Sequence, residues 1–220
     1  MNASPTRTVL LTGFDPFGGE HVNPSWEAVR RLQGAVVAGH RIETAQLPTA
    51  FGRGAHALLD ALERHRPTLT LCVGQAGGRA GLSIERVAIN LIDARIADND
   101  GAQPIDLACV AGAPNAYFSS APIKAMRAAL QAVGIPAEIS HTAGSFVCNH
   151  VFYVLMHALA ADTGGARGGF VHVPYLPEQA QRVGDTPSMP LVTMTEGLRV
   201  AIDAALRHRH DLTVSAGITH

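Results

Sequence analysis

Residues 137–158 read AEISHTAGSFVCNHVFYVLMHA, a short extended piece followed by a turn of small residues and then by a helix. The extended piece covers residues 137–140 and the turn covers 142–145. Apolar residues then recur at the spacing of one helix face: Val151, Leu155, Ala158 and Leu159. Cys148 lies in the first turns of this helix. The segment therefore predicts a strand–turn–helix unit with a cysteine near the helix start.

The same alternation continues on both sides of this unit. Continuous apolar or alternating runs predict strands at 8–12, 41–47, 69–74 and 168–174. Helical spacing predicts helices that begin near residues 24, 51, 123 and 194. Strands that alternate with helices form a mostly parallel sheet covered on both faces. We therefore expect an α/β fold, a three-layer α/β/α sandwich with an open, twisted, mostly parallel sheet, in which residues 1–220 form a single domain.

Residues 75–114 interrupt this alternation. Glycines at 74, 77, 78 and 81 predict a loop, and residues 84–96 look extended, like one arm of a hairpin. The run Asp-Asn-Asp-Gly at 98–101 is a turn signal. We expect a hairpin insertion here, and long structured insertions often carry function.

The composition excludes several classes of protein. The chain of 220 residues is 47% hydrophobic with a net charge of −1, so it can bury a core but has no charge surplus for nucleic acid or acidic lipid. Its three cysteines, Cys72, Cys109 and Cys148, are odd in number and far apart, which favours a reducing compartment over a disulfide framework. Residues 1–7 lack the apolar core of a signal peptide, and no apolar run of about 18 residues predicts a membrane span. We expect a soluble cytoplasmic protein with no nucleic-acid or membrane partner.

In open parallel sheets, functional sites form where strands end and their loops begin. That rule selects residues 13–19, 75–81 and 141–148, together with His172 at the end of an apolar strand. We expect all of them to gather along one edge of the sheet.

Cys148 is the candidate nucleophile at that edge. Free backbone N–H groups at a helix start favour negative charge, so a cysteine there ionises more easily and its thiolate can attack a carbonyl. The same N–H groups could hold the oxyanion of an acyl transfer. The competing interpretation is that Cys148 is a small buried hydrophobe, the commonest role of a free cysteine.

A thiol nucleophile needs a base, and the base needs a group that orients it. Among the eleven histidines, His172 alone combines the end of a buried strand with the same predicted edge as Cys148. It could equally be a satisfied core histidine. Glu85 lies between apolar residues in an extended segment, where an unpaired charge is costly. Spacing leaves several alternatives open: Asp93, Asp98 and Asp100 as the orienting acid, and an ion pair of Glu85 with Arg86 or Arg95.

Other functions fit the residues less well. A metal hydrolase could use His141, His150, His157 and His172, but no H-E-x-x-H spacing is present, and we expect no metal or cofactor. The loop that starts at Gly13 lacks the Lys-Ser/Thr of a phosphate-binding P-loop. Two alternatives remain: a nucleoside-phosphorylase-like enzyme on a similar sheet, and a binding module without catalysis.

Six motifs follow one another along the chain: TGFDPFGG at 12–19 with NPS at 23–25, GQAG at 74–77, ERVAIN at 85–90, DNxGxxP at 98–104, TAGxFVCN at 142–149 and HVPYLPEQ at 172–179. In sequence and in order they resemble the motifs of the pyroglutamyl peptidase I (pyrrolidone-carboxylate peptidase) family of cysteine peptidases. His141 and Ser145 depart from the family pattern, in which asparagine and threonine are usual, but neither carries the proposed chemistry.

The resemblance implies removal of N-terminal pyroglutamyl (5-oxoproline) residues from peptides. It implies Cys148 as the nucleophile, His172 as acid and base, and Glu85 as the group that orients His172. It also implies that Arg95 lies near the oxyanion, together with the backbone N–H of Cys148.

The same resemblance describes a substrate pocket. Pyroglutamate has no N-terminal charge, so its flat, neutral ring needs apolar walls and a few amide-type hydrogen bonds. Phe14 and Phe17 are the implied walls, although either could pack against the core instead. Gln75 or its backbone is the implied partner of the lactam. The family further implies a homo-oligomer, specifically a tetramer.

Overall fold

The main sheet is built around β1, in which every residue after Thr8 is buried. A strand buried on both faces is typical of the middle of a parallel sheet. The computed structural model describes residues 7–184 and 186–216. The strands are β1 Thr8–Phe14, β2 Val36–Val37, β3 His40–Leu47, β4 Leu69–Gln75, β5 Leu82–Glu85, β6 Val87–Ile89, β7 Ala116–Phe118, β8 Ala137–Ser140 and β9 Arg167–Val173. The helices are α1 Pro24–Arg30, α2 Phe51–His65, α3 Ile123–Ala132, α4 Val147–Ala161, α5 Pro177–Val183 and α6 Leu191–Arg207.

The main sheet has seven strands in the order β2-β3-β1-β4-β9-β5-β8. The four central strands β3, β1, β4 and β9 are parallel. At one edge β2 is antiparallel to β3, and at the other β5 is antiparallel to β9 while β8 is parallel to β5. A separate two-stranded antiparallel sheet consists of β6 and β7.

Helices cover both faces of the sheet. Helices α1, α3 and α6 enclose one apolar core against residues such as Leu11, Leu71 and Val171. Helices α2 and α4 enclose the other core, against Cys72 and Phe170. The predicted three-layer α/β/α sandwich with an open, mostly parallel sheet is confirmed.

Local signals end and begin helices where the sequence predicts. Asn23 caps α1, because its Oδ1 accepts a hydrogen bond from the backbone N–H of Ser25 at 3.1 Å. Pro24 occupies the first helical turn. Helix α2 ends with Arg66 in the left-handed region at φ 41°, directly before Pro67.

The expectation of a hairpin arm is confirmed for residues 87–92, where β6 pairs antiparallel with β7 and Ile92 with Leu107, but the arm does not extend over all of 84–96. The first part of this range belongs to β5 in the main sheet, whereas β6 pairs with β7, a strand far along the chain. The two segments meet at Arg86, whose N–H donates to Ser140 O while its own carbonyl accepts from Ser119 N. Alternating side chains predict extended backbone but not the strand with which it pairs, because any neighbouring strand satisfies the same pattern.

The selected segment 141–148 does reach the loop after β4, since Cys148 Sγ lies against Gly74 and Arg79 Nη2 donates to Thr142 O at 3.3 Å, but β8 itself does not end at the same edge. Through β5, β8 runs antiparallel to β9 and β4, so Ser140 leaves the sheet in the opposite direction from His172. Residues 141–146 then bring the chain back over the α4 face. The loops after β1, β4 and β9 follow the rule, since these three strands are parallel.

No helix within the described ranges is long and apolar enough to cross a membrane. The predicted lack of a signal peptide concerns residues 1–7, of which 1–6 lie outside the described residues.

Candidate active site

Helix α4 brings the thiol of Cys148 onto the middle of the main sheet. The turn before it contains Gly144 at φ 79°, and the helix starts after Phe146, so Cys148 is its second residue. Its Sγ lies against Gly74 of β4, and a Cβ placed on Gly74 would be only 2.9 Å from that sulfur. Glycine is therefore required at position 74 for the helix to approach the sheet this closely.

His172 lies on the same face of the sheet, beside the point that the thiol touches. It is the cross-strand partner of Gly74, and paired residues of neighbouring strands point to the same face. The ring of Phe170, two residues earlier on β9, has its centroid 4.8 Å from the imidazole of His172. A Cβ on Gly74 would also contact Phe170 at 2.8 Å. The thiol and the imidazole thus share one face of β4 and β9.

Glu85 completes this group from β5. Its Oε1 lies 2.7 Å from Nδ1 of His172, and the carboxylate is wholly buried. Since a carboxylate only accepts hydrogen bonds, Nδ1 carries the proton and Nε2 is left as the basic nitrogen. The structure therefore brings together Cys148, His172 and Glu85, whereas Asp93, Asp98 and Asp100 have other contacts or are exposed.

Glu85 remains a carboxylate although it is buried. Burial acts to raise its pKa, but the hydrogen bond of His172 and, when the imidazole is protonated, its charge outweigh burial, with smaller help from Ser140 and Arg79. The net result is a pKa of Glu85 below its usual value. A charged acceptor therefore faces His172 at neutral pH.

The thiol of Cys148 does not ionise as easily as the helix start predicts. Burial and, after it, the negative charge of Glu85 raise the pKa of Cys148 to about 12, and only Arg79 acts to lower it. Desolvation of the sulfur is the largest of these causes, although Cys148 is half-buried by its accessible surface. A thiolate at this position therefore needs a proton acceptor, and Nε2 of His172 is the basic atom on this face.

Sequence reasoning missed Arg79, the cation nearest to Glu85. Its Nη1 donates to Glu85 Oε1 at 2.7 Å, and its Nη2 reaches Thr142 O at 3.3 Å. The alternatives suggested for Glu85 were ion pairs with Arg86 or Arg95, but Arg86 points away and donates to Ala216 O. The signal was available, because Arg79 lies in the strand-end loop 75–81 that the sheet rule selects.

Within the described residues, no hydrogen bond or ion pair joins Arg95 to this group, although its segment lies beside the start of α4, where Asp93 N donates to Ser145 O at 3.0 Å. The Arg95 side chain is exposed and, within the ranges that the structure describes, has no hydrogen-bond or ion-pair partner. The role of Arg95 at an oxyanion stays a prediction. The backbone N–H of Cys148 is better placed, because the first N–H groups of a helix have no intrahelical acceptor.

An aromatic cluster stands next to the helix start. The ring of Phe146 lies 5.3 Å from that of Phe17 and 5.2 Å from that of Phe51. Phe17 and Phe146 are half-buried, so they offer apolar surface at the site. Phe14 is 2% exposed and packs towards Phe170 at 6.4 Å, which makes it part of the core beneath. Sequence reasoning missed Phe146, although it precedes Cys148 by only two residues.

The loop that carries Phe17 is held in place by polar contacts. Asp15 Oδ1 accepts hydrogen bonds from Thr49 N at 2.7 Å and from Asn99 Nδ2 at 3.2 Å. Asn23 Nδ2 donates to the carbonyl of Asp15 at 2.9 Å. The insertion therefore supports the first loop through Asn99.

Gln75 extends from the opposite face of β4 to Gly74, because successive side chains of a strand alternate. Its Oε1 accepts from Nε2 of the fully buried Gln179 at 3.2 Å. Gln179 Oε1 in turn accepts from Leu176 N, which fixes the direction of both amides. The side chain of Gln75 is thus engaged away from the thiol, and its backbone is the part beside Cys148.

The other histidines of the metal alternative are dispersed. His150 is buried with its ring 5.8 Å from Phe51, His157 bonds Tyr117, and His141 is exposed. Within residues 7–184 and 186–216, no three potential ligand side chains come close enough to hold a metal ion.

Comparison with known proteins finds similar sequences that cover almost the whole chain. A model of the pyroglutamyl peptidase family matches residues 7–208. Pyrrolidone-carboxylate peptidase 1 of Ralstonia nicotianae is 58% identical over 213 residues, which cover 97% of this chain and 99% of that protein. A pyrrolidone-carboxylate peptidase of Brevibacillus brevis is 50% identical over 211 residues, covering 96% and 98%.

Solved structures agree with these matches. The crystal structure of pyroglutamyl peptidase I from Bacillus amyloliquefaciens superposes with a TM-score of 0.91 at 48% identity, covering 94% of this chain and all of that one. A mutant pyrrolidone carboxyl peptidase from the hyperthermophile Pyrococcus furiosus gives 0.88 at 42% identity, covering 91% and 98%.

Proposed function

The chain belongs to the pyroglutamyl peptidase family, and from this premise we propose that it removes N-terminal pyroglutamyl residues from peptides with Cys148 as nucleophile. The observation that carries the assignment of residues is the meeting of the Cys148 thiol, at Gly74, with the His172–Glu85 pair on one sheet face. His172 acts as acid and base, and Glu85 orients it.

The first half of the reaction forms a thioester. Nε2 of His172 takes the proton of the Cys148 thiol as the sulfur attacks the carbonyl carbon that follows the lactam ring. The carbonyl oxygen becomes an oxyanion, which the backbone N–H of Cys148 stabilises, with Arg95 as a second donor. The C–N bond then breaks, and His172 returns the proton to the departing amine.

The second half releases the product. A water molecule attacks the thioester while Nε2 of His172 accepts its proton, and the proton then passes to the departing sulfur. Glu85 keeps Nδ1 protonated throughout, so the basic nitrogen faces the sulfur in each step. Pyroglutamate leaves and the thiol is restored.

The pocket supports a neutral substrate end. The half-buried rings of Phe17 and Phe146 provide apolar surface for the flat lactam, above the core that contains Phe14. The backbone at Gln75 is the amide partner that we assign to the lactam, since its side chain is bonded to Gln179. An aminopeptidase that binds a free ammonium would need a carboxylate facing this pocket instead.

The remaining assignments concern the whole chain. One continuous sheet of strands between residues 8 and 173, with α6 returning onto it, supports a single domain. Unpaired Cys72, Cys109 and Cys148 support a reducing compartment, the cytoplasm. Exposed Ile105 and Phe118 are compatible with the homotetramer that the family resemblance implies. We assign no cofactor, metal, nucleic-acid or membrane partner.

The test compares hydrolysis of a chromogenic pyroglutamyl amide with that of the corresponding prolyl and glutamyl amides. We expect cleavage of the pyroglutamyl amide alone, and a loss of at least about 10³-fold in kcat for Cys148→Ala, since a nucleophile is removed. Cys109→Ala is the matched control, because the Cys109 thiol donates to the carbonyls of Ile89 and Leu91 in the insertion. Equal rates for Cys148→Ala and Cys109→Ala would remove Cys148 from the mechanism.

A further inference from the structure

One buried oxygen accepts two donors at the centre of the site. Glu85 Oε1 lies 2.7 Å from His172 Nδ1 and 2.7 Å from Arg79 Nη1. In the resting chain His172 must be neutral to accept a proton, so it cannot balance the charge of Glu85. Burying an unbalanced carboxylate is costly. Arg79 is the group that balances it, with its side chain 24% exposed.

The loop that carries Arg79 is held against the sheet. A Cβ on Gly77 would lie 2.3 Å from ring atoms of Tyr175, so that ring is packed directly on the loop backbone. The second nitrogen of Arg79 reaches Thr142 O at 3.3 Å, in the turn that leads to α4. The guanidinium therefore connects the acid on β5 to the segment that delivers Cys148.

We propose that Arg79 is a positioning residue that keeps Glu85 ionised while His172 is neutral, and so keeps His172 able to accept the proton of Cys148. The proposal rests on the proposed function. Arg79 acts through Glu85, to which its Nη1 donates at 2.7 Å. The positive charge of Arg79 also favours the thiolate form of Cys148, which likewise helps the sulfur to react.

Removing the positive charge of Arg79 should shift the pH dependence of kcat/KM in one direction. Without Arg79, the buried carboxylate of Glu85 loses the cation that favours its charged form, so Glu85 takes up a proton at higher pH. The thiol of Cys148 also loses a nearby positive charge. The acid limb of kcat/KM against pH therefore moves to higher pH. The titratable groups that face Glu85 and Arg79 come from several elements: His172 on β9, Cys148 on α4, Cys72 on β4 and Glu138, bonded to Ser83, on β8.

The experiment measures kcat/KM on a pyroglutamyl amide from pH 5 to 9 for the unaltered chain and for Arg79→Met, Arg79→Gln and Arg79→Lys. For the two neutral variants we expect the acid limb to move up by about one pH unit, as removal of one close charge does. Arg79→Lys keeps the charge but not the planar fork, so its limb stays near that of the unaltered chain. Arg199→Met, which breaks an exposed ion pair on α6, is the control for losing an arginine.

A second measurement is independent of the substrate. The rate of alkylation of Cys148 by iodoacetamide is followed against pH, with Cys109→Ala as background in every chain. The same upward shift in the neutral Arg79 variants supports the proposal even if the pyroglutamyl amide is not cleaved, which would overturn only the proposed function. Neutral variants with a lower Tm, or a higher KM, but with unchanged pH profiles in both assays would overturn the role of Arg79.

Discussion

Gly74 decides how closely Cys148, the proposed nucleophile, approaches the sheet beside His172, its proposed base. The position faces α4, and both the Cys148 sulfur and the Phe170 ring occupy the space of a side chain there. The close approach lets a thiol on a helix and an imidazole on the adjacent strand share one point of the sheet. A residue with no side chain is thus as necessary to the site as those that carry chemistry.

Gly74→Ala tests this role. The added Cβ would lie 2.9 Å from Cys148 Sγ and 2.8 Å from Phe170 Cζ, so the helix start must shift. We expect kcat to fall by about 10²-fold, because small displacements of a reacting atom cost that much. The measurements are kcat on a pyroglutamyl amide and Tm.

Gly52→Ala is the matched control for this substitution. Gly52 is exposed in α2, and a Cβ there meets nothing within 4 Å, so alanine should raise stability by up to about 1 kcal/mol. Unchanged kcat in Gly74→Ala would show that the sheet does not control the position of the thiol.

At the scale of elements, α4 carries the nucleophile and also ties the insertion to the site. Asn149, directly after Cys148, is fully buried: its Oδ1 accepts from Ile89 N at 3.0 Å, and its Nδ2 donates to the carbonyls of Ile89 and Leu91. These bonds satisfy backbone groups of β6 in the way that a neighbouring strand would. The helix start is therefore anchored to the sheet by Gly74 and to the insertion by Asn149.

The same helix contains a buried group that makes the chain sensitive to acid. Burial lowers the pKa of His150, against a smaller opposing effect of the Phe51 carbonyl, and its Nδ1 has no hydrogen-bond partner within the described residues. The unfolded chain therefore takes up this proton first as the pH falls. Above about pH 6.5, His150 is neutral in both the folded and the unfolded chain and does not affect the free energy of unfolding. Below that pH the unfolded chain binds the proton more readily, so the free energy of unfolding falls progressively.

His150→Phe keeps a ring beside Phe51 and removes the titration. We expect the free energy of unfolding in urea to fall less between pH 7 and pH 5 in this variant than in the unaltered chain. His56→Phe, at an exposed position of α2, should leave the pH dependence unchanged. Parallel pH profiles for His150→Phe and the unaltered chain would contradict the prediction.

At the scale of the whole molecule, the segment after α6 secures the sheet edge that bears Glu85. Asp211 Oδ1 accepts hydrogen bonds from the backbone N–H groups of Lys124 and Ala125, both at 3.0 Å. It thereby caps α3, which has no side-chain cap of its own. Arg86, next to Glu85, donates to Ala216 O at 2.7 Å. The end of the chain thus stabilises an edge far from it in sequence.

Asp211→Ala should lower the free energy of unfolding by about 1 kcal/mol, the usual cost of losing a helix cap. Activity on a pyroglutamyl amide well below Tm should stay unchanged, because α3 lies on the face opposite the thiol. Thermal melting and kcat measure the two effects. Asp60→Ala, on the exposed side of α2, is the control, and equal Tm values for the two variants would show that the cap contributes nothing.

The sequence by itself determined the layered fold and the residues of the candidate triad. Apolar periodicity located the strand Ala137–Ser140 and every described helix except α5, because each pattern depends only on neighbours along the chain. Strand ends selected Cys148 and His172 as candidates, and the motifs that resemble the peptidase family added Glu85, which spacing alone did not distinguish from Asp93, Asp98 or Asp100.

Only the tertiary structure decided which remote groups meet. The reversed direction of β8, the bond of Arg79 to Glu85 and the place of Phe146 depend on how strands pair, and alternation along a strand is the same for every partner. The pKa of Cys148 likewise could not be predicted from the residues near it in sequence. It is set by desolvation and by the charges of Glu85 and Arg79, which arrive from other elements once the chain has folded.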